Sequence, residues 1–322
     1  MSGPDSIDDL CGALAAAGVA CRRGVPMREH TTWRIGGPAD VLVEPATRAQ
    51  FLAGLHAARR AAVPVVVMGR GSNLLFADEG VRGAVFIAGP KLAGIRVEGC
   101  RLDAEAGALV CRVALAACRR GLAGLEHVVG IPGTMGGLVA MNGGSRQRSI
   151  GDVLDWAEAC GCDGTIRRFD RAACRFAYRD SRFLRESSWT ILRCSLQLVP
   201  GERAAIRREM LEILRERRRK FRRKEPSCGS VFKSTPELHA RIGPPGKIIE
   251  SCGLKGLRKG EAEVSPFHAN FIVNLGRARA SDVLALIRAI RKEVHARHGV
   301  WLETEARYVH PRGETVPAHE VA

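Results

Sequence analysis

No apolar run in this chain of 322 residues approaches the roughly 20 residues that a membrane-spanning helix needs. The first ten residues, Met1 to Leu10, are acidic and lack the basic-then-apolar layout of a secretory leader. The expectation is a cytoplasmic protein without membrane contact. Cys-x-x-Cys is absent too. The eleven cysteines are scattered from Cys11 to Cys252, and the closest pair is Cys160 and Cys162. That spacing excludes a disulfide framework and a four-ligand zinc site, so the cysteines read as small core residues in a reducing compartment. No internal repeat is visible.

What is present is a soluble globular composition, 46% hydrophobic and 26% charged, long enough for two domains with cores of their own. The formal net charge is +16, carried mainly by arginine. Such a field attracts nucleic acid or phosphorylated small molecules alike. Its densest run, Arg215 to Lys224, reads as a solvated helix face, a diphosphate-facing patch or a nucleic-acid patch. With only Phe221 interleaved, it offers little for base stacking.

Periodicity and punctuation divide the chain into alternating helices and strands. Helices are expected at 6–18, after a Thr47 cap, at 108–120 up to Gly121, at 202–220, at 246–251, and from a Ser281 cap to Gly299. Strands are expected at 39–45, 64–68, 84–87, 95–97, 102–105, 152–159, 164–168, 189–199, 270–274 and 301–309. The class is α+β or mixed α/β in two unequal parts, with a domain boundary in the long basic helix.

Two glycine-rich stretches stand out. Gly69-Arg-Gly-Ser-Asn73 follows a β-branched strand directly. Its amides and the Ser72 hydroxyl are possible phosphate donors, although a tight turn without a ligand accounts for it equally well. It is neither a Walker A loop nor a GxGxxG fingerprint, since no Gly-Lys-Ser/Thr follows and position 74 is leucine. The second stretch carries Gly130, Gly133, Gly136, Gly137, Gly143 and Gly144. Glycine in regular structure costs roughly 0.5–1 kcal/mol each, so this density suits backbone packed against a flat ligand or a pyrophosphate. Together the stretches suggest a dinucleotide gripped from two sides.

The ordered set Thr31-Thr-Trp-Arg-Ile-Gly-Gly37, Gly69–Asn73, Gly130-Ile-Pro-Gly-Thr-Met-Gly-Gly137, Tyr178-Arg-Asp-Ser-Arg-Phe183, Cys228-Gly-Ser-Val-Phe-Lys233 and Leu302-Glu-Thr-Glu305 resembles the UDP-N-acetylenolpyruvylglucosamine reductase family from about residue 25 to 310. The resemblance implies an FAD-binding region of the vanillyl-alcohol-oxidase type at 25–205, built of two α+β subdomains. An N-terminal helix at 1–24 would precede it and an α+β substrate-binding domain at 206–322 would follow. It further implies FAD and NADPH as cofactors, UDP-N-acetylglucosamine enolpyruvate as substrate, no nucleic-acid partner, and a monomer of the shorter type lacking an extra substrate-covering loop.

By the same resemblance, Gly69, Arg70, Gly71, Ser72, Asn73, Pro132, Gly133, Thr134, Gly136 and Gly137 cradle FAD, with Asn142 beside it. Arg179 and Glu305 stand near the substrate carboxylate and Ser230 donates a proton. Tyr178, Lys233, Lys255 and His268 face the sugar nucleotide, and Lys220 or Arg222 of the basic run can contribute. The types suit the chemistry. An arginine fork answers charge developing on an enolate, a serine within reach delivers a proton, and burial keeps a carboxylic acid neutral. Two departures are visible: Ser234 stands where the family usually has asparagine, and Gly143 to Gln147 differ from its usual Ala-Gly-Ala-Tyr/His-Gly.

Overall fold

The computed structural model describes residues 4–220 and 225–322. Phe221, Arg222 and the rest of 221–224, with the side chain of Lys220, lie outside the described residues, so the expectations placed on them are not taken further.

The chain opens with helix α1 (Pro4–Ala16), which buries Leu10 and Leu14. A four-stranded sheet follows in the order β1 (Cys21–Pro26), β2 (Pro38–Val43), β5 (Val81–Ile87), β3 (Val65–Met68). β1 runs antiparallel to β2, while β2 and β3 both run parallel to β5. Helix α2 (Arg48–Arg60) is the crossover between β2 and β3. Thr47 Oγ1 accepts from Gln50 N at 3.1 Å, and Gln50 Oε1 accepts in return from Ala46 N. This fixes the start of α2 so that Phe51 meets Phe86 edge to face at 6.0 Å.

A second, fully antiparallel sheet has the order β10 (Ile166–Asp170), β9 (Leu154–Gly161), β11 (Trp189–Gln197), β7 (Arg101–Glu105), β6 (Ile95–Glu98). Against it lie α3 (Val110–Arg119), α4 (Met135–Ala140) and α5 (Arg182–Arg185). A short pairing of β8 (Leu122–Ala123) with β12 (Val199–Pro200) leads into α6 (Arg203–Lys220). Both sheets share one continuous core, and Ile206, Met210 and Ile213 of α6 belong to it.

The C-terminal part has α7 (Pro236–Arg241), α8 (Pro245–Ser251), a three-stranded antiparallel sheet of β13 (Arg258–Lys259), β14 (Ala262–Val264) and β15 (Ile272–Asn274), and the long α9 (Ala280–His298). Its core is separate, yet Trp33, Ile35, Leu75 and Ala77 from the first third of the chain are part of it. Trp33 is fully buried, and its indole N–H donates to Ile272 O at 2.8 Å. Strand β4 (Leu74–Phe76), which follows the first glycine loop, pairs in parallel with β16 (Arg307–Val309), itself paired with β17 (Thr315–Pro317). The two parts are stitched where the glycine loop ends.

Three expectations shift. Ser281 does not cap α9: the helix begins at Ala280 with Arg279 in the cap position, and the Asp78 carboxylate, 202 and 203 positions away, accepts from Ala280 N (2.7 Å) and Ser281 N (3.1 Å). Gly299 ends that helix in the left-handed region, as its position implied. The expected strand 301–309 is extended only over Arg307–Val309. Its first half is used elsewhere: Trp301 stacks on His295 and Thr304 bridges to Phe232. Finally, β1, β4 and α7 had no expectation. β1 carries two arginines and a glycine and ends on proline, β4 is three residues long, and α7 is six residues long.

Candidate active site

The two glycine loops come together. Gly69 leaves β3 so close to the second loop that a Cβ on it would stand 2.1 Å from Thr134 Oγ1. Gly71 has φ +58 and a backbone oxygen, His30 O, 2.8 Å from where its Cβ would be; only glycine sits there without strain. Across from them, Gly133 faces Ser72, and Gly136 packs on Ala106. Among the described residues, the backbone amides of Arg70, Gly71, Ser72 and Asn73 donate to no protein acceptor. Four neighbouring donors without internal partners suit an anionic ligand.

Both loops line one large cleft of about 1940 Å³. This is nearly twice the upper end of ordinary small-molecule sites, about 1,000 Å³, and leaves room for a dinucleotide and a second ligand together. Gly69, Arg70, Gly71, Ser72, Asn73, Pro132, Gly133, Thr134, Gly136 and Gly137 all line it, as do Arg179, Ser230, Glu305 and His268. Residues 60 to 230 positions apart in sequence thus share one cavity.

Arg179 sits on a two-residue turn closed by an Ala177–Asp180 bridge, with φ +52. Its guanidinium donates to Gly144 O (2.6 Å) and Asn142 O (3.4 Å), and Nε comes within 2.9 Å of Glu305 Oε1. Glu305 is pushed above the usual carboxylate range by burial, an effect that Arg179 opposes. The backbone of the Ser230 loop is registered against it, since Glu305 N donates to Val231 O at 2.8 Å. Asn73 of the first glycine loop donates from Nδ2 to Glu305 O (2.9 Å) and accepts from Arg307 N through its own carbonyl (3.0 Å). The loop that offers amides to a ligand also positions the acid.

Four expected contacts lie elsewhere. Asn142, at φ +42 and buried, has its amide engaged by the backbone: Oδ1 accepts from Gly151 N (3.0 Å) and Nδ2 donates to Ala177 O (2.9 Å). It does not line the cleft; it ties the second glycine stretch to the turn bearing Arg179. Tyr178 turns outward, with its ring 5.2 Å from the Arg179 guanidinium and its hydroxyl accepting from Ser234 N. Lys233 pairs with Glu303 at 3.1 Å and Lys255 with Glu250 at 2.5 Å, and neither lines the cleft. For the two lysines a nearby carboxylate claims the side chain, and for Asn142 and Tyr178 the backbone does. His268 does line it, resting over Gly246 and edge-on to Phe271.

Sequence reasoning passed over other lining residues. Thr32 and Arg34 (φ +55) come from the Thr31–Gly37 motif, and Arg307 follows Glu305 by two residues. Thr32 Oγ1 and Arg307 Nε are buried without hydrogen-bond partners. Arg217 and Arg218 of α6 also reach the cleft, and the Arg217 side chain lies over Gly130. The basic run carried the signal for the last two. A motif read for its order, not residue by residue, hid the others.

Comparison with known proteins matches this geometry to a family. The model described as "UDP-N-acetylenolpyruvoylglucosamine reductase, C-terminal domain" matches residues 221–309, and one described as "FAD binding domain" matches 39–170. The chain is 44% identical to UDP-N-acetylenolpyruvoylglucosamine reductase 1 of Corynebacterium glutamicum, over 92% of this chain and 89% of that protein. The chain belongs to the UDP-N-acetylenolpyruvoylglucosamine reductase family. The Rubrobacter xylanophilus enzyme of the same name is 42% identical, over 92% of this chain and 98% of its own. Among solved structures, the UDP-N-acetylenolpyruvylglucosamine reductase of Thermus caldophilus superposes with a TM-score of 0.76 at 35% identity, covering 90% of this chain and 98% of that one. As a member of the reductase family, the chain is an FAD-dependent oxidoreductase of peptidoglycan precursor synthesis. The glycine cradle, with its unclaimed amides, fits the cofactor. Among the described residues no helix is long and apolar enough to cross a membrane.

Proposed function

We propose that Arg179, Ser230 and Glu305 carry the reduction of UDP-N-acetylglucosamine enolpyruvate to UDP-N-acetylmuramate. The observation behind this is their convergence on one cleft with the glycine loops, with Arg179 and Glu305 in contact at 2.9 Å. Residues 69–73 and 132–137 hold FAD, which when bound supplies hydride from NADPH to the enolpyruvyl group. Addition at C3 places negative charge on C2 and the carboxylate. Arg179, fixed by two carbonyls, presents donors to that charge without reorganising. Glu305, kept from ionising easily by its burial, donates a hydrogen bond to the same oxygens as a neutral acid. Ser230 delivers the proton to C2.

Arg34, Arg217, Arg218 and Arg307 make the cleft basic and suit a nucleotide diphosphate. His268 completes its far side, while Tyr178 and Lys233 support the wall from behind. We divide the labour as 25–205 for FAD and 206–322 for substrate, with α6 as the joint. Its apolar face belongs to the first core, and Arg217 and Arg218 enter the cleft. The reading includes a cytoplasmic monomer that uses NADPH and binds neither nucleic acid nor membrane.

Single-turnover kinetics on the FAD-loaded enzyme test it. Ser230→Ala leaves flavin reduction by NADPH intact and slows reoxidation by the enolpyruvyl sugar about 10²–10⁴-fold. Equal loss in both half-reactions removes Ser230 as the donor.

A further inference from the structure

Arg179 and Glu305 are each other's partner in the ligand-free chain, in the place where a substrate carboxylate has to go. Both side chains are largely buried, 15% and 21% exposed. The pairing is one of charge more than of hydrogen bonding, for Arg179 Nε has no well-directed acceptor despite the 2.9 Å approach. A buried guanidinium donor aimed into a cleft and poorly used favours a better-placed anion.

The other charged or titratable groups around Glu305 do not replace Arg179. Lys233 adds a weaker attraction and is itself tied to Glu303 at 3.1 Å. The Cys228 thiol, on the loop leading to Ser230, is held neutral by burial, and the Tyr178 phenol is likewise raised, by burial first. On its own segment, Arg307 directs its guanidinium to Thr315 O. Two carboxylates sharing one largely buried guanidinium do not both stay ionised.

We propose that the Arg179–Glu305 pair is a placeholder which the substrate's carboxylate displaces, so that Glu305 takes up a proton as substrate binds. The proton comes from solvent, the substrate carboxylate inherits the arginine, and Glu305 enters the reaction already neutral. This rests on the reading that Arg179 receives the substrate carboxylate. It adds that binding and protonation are one event, which that reading does not require.

Titration calorimetry on the FAD-loaded protein tests it, in buffer pairs of different ionisation enthalpy near pH 7. The ligands are UDP-N-acetylmuramate, which carries a carboxylate, and UDP-N-acetylglucosamine, which does not. The first takes up close to one more proton than the second, and its Kd rises with pH by up to about tenfold per unit, while that of the second stays flat. Glu305→Gln abolishes the extra uptake and flattens the pH profile while still binding UDP-N-acetylmuramate. Equal proton counts for the two ligands, or undiminished uptake in Glu305→Gln, overturn the proposal. The underlying reading fails separately if Arg179→Ala binds UDP-N-acetylmuramate as tightly as the unmodified enzyme does.

Discussion

The two walls of the cleft are made of different material. One is backbone: Gly69 and Gly71 approach neighbouring atoms so closely that added side chains would collide, and among the described residues the amides of 70–73 have no protein acceptor. The other is side chain: Arg179, held by two carbonyls and by Glu305, with Ser230 lining the same cleft. A backbone wall recognises by shape and dipole, so it is sensitive to bulk and indifferent to charge. A side-chain wall recognises by charge, so isosteric exchange disables it without disturbing the fold.

The comparison is best broken at Arg179. Arg179→Ala lowers turnover about 10²–10³-fold, the cost of one fixed donor to a developing anion, while flavin content and thermal stability stay close to the parent. Absorbance of bound flavin beside stopped-flow reoxidation checks both halves; loss of flavin together with turnover would erase the distinction between the walls.

Next in size is the support under the backbone wall. His127, in the turn that leads to Gly130, is fully buried, and burial, aided by Arg148, lowers its pKa to about 4. The unfolded chain binds this proton near pH 6.5, the folded chain only near 4. Stability is therefore level above about pH 6.5 and falls as pH drops through that window, by roughly 3 kcal/mol in all. Chemical denaturation from pH 7 to 4 measures it. His127→Met removes that portion of the acid loss, and an unchanged slope would refute the assignment.

A smaller effect comes from bulk at the loop contact. Gly69→Ala overpacks against Thr134 by about 1–3 kcal/mol, read as 10- to 100-fold weaker FAD binding if the strain falls on the loops. Thr134→Gly in the same chain restores affinity, because the atoms 2.1–3.0 Å from the new Cβ are then gone. Failure of that rescue would mean the loops recognise the cofactor by something other than their approach. The smallest effect is at Lys255, whose partner is Glu250. Lys255→Met changes stability by less than about 0.5 kcal/mol and leaves the KM for the sugar nucleotide unchanged; a raised KM would bring it back as a ligand contact.

Much of this was legible in the chain. The glycine stretches announce their conformational needs through composition alone, and Thr47 and Gly299 mark helix ends through local hydrogen bonding and left-handed backbone. Arg179, Ser230 and Glu305, singled out through motif order, line one cleft. Asn142, Lys233 and Lys255 do not line the cleft for a common reason: a polar side chain goes to whichever partner the fold brings nearest, here Gly151 and Ala177, Glu303 and Glu250. Asp78 capping α9 from 202 residues away is the same lesson in reverse.

The sequence by itself determined where the backbone can turn sharply, which stretches are apolar enough to be strands, and which residue types are available for chemistry, because those are properties of neighbours along the chain. Tertiary structure alone decided that Trp33 would plug the core of the C-terminal part, that β4 would pair with β16, and that Asn73 would hold Glu305 beside the glycine loops. These depend on packing between segments some 230 residues apart, where the free energy comes from burial and shared hydrogen bonds that no local pattern encodes.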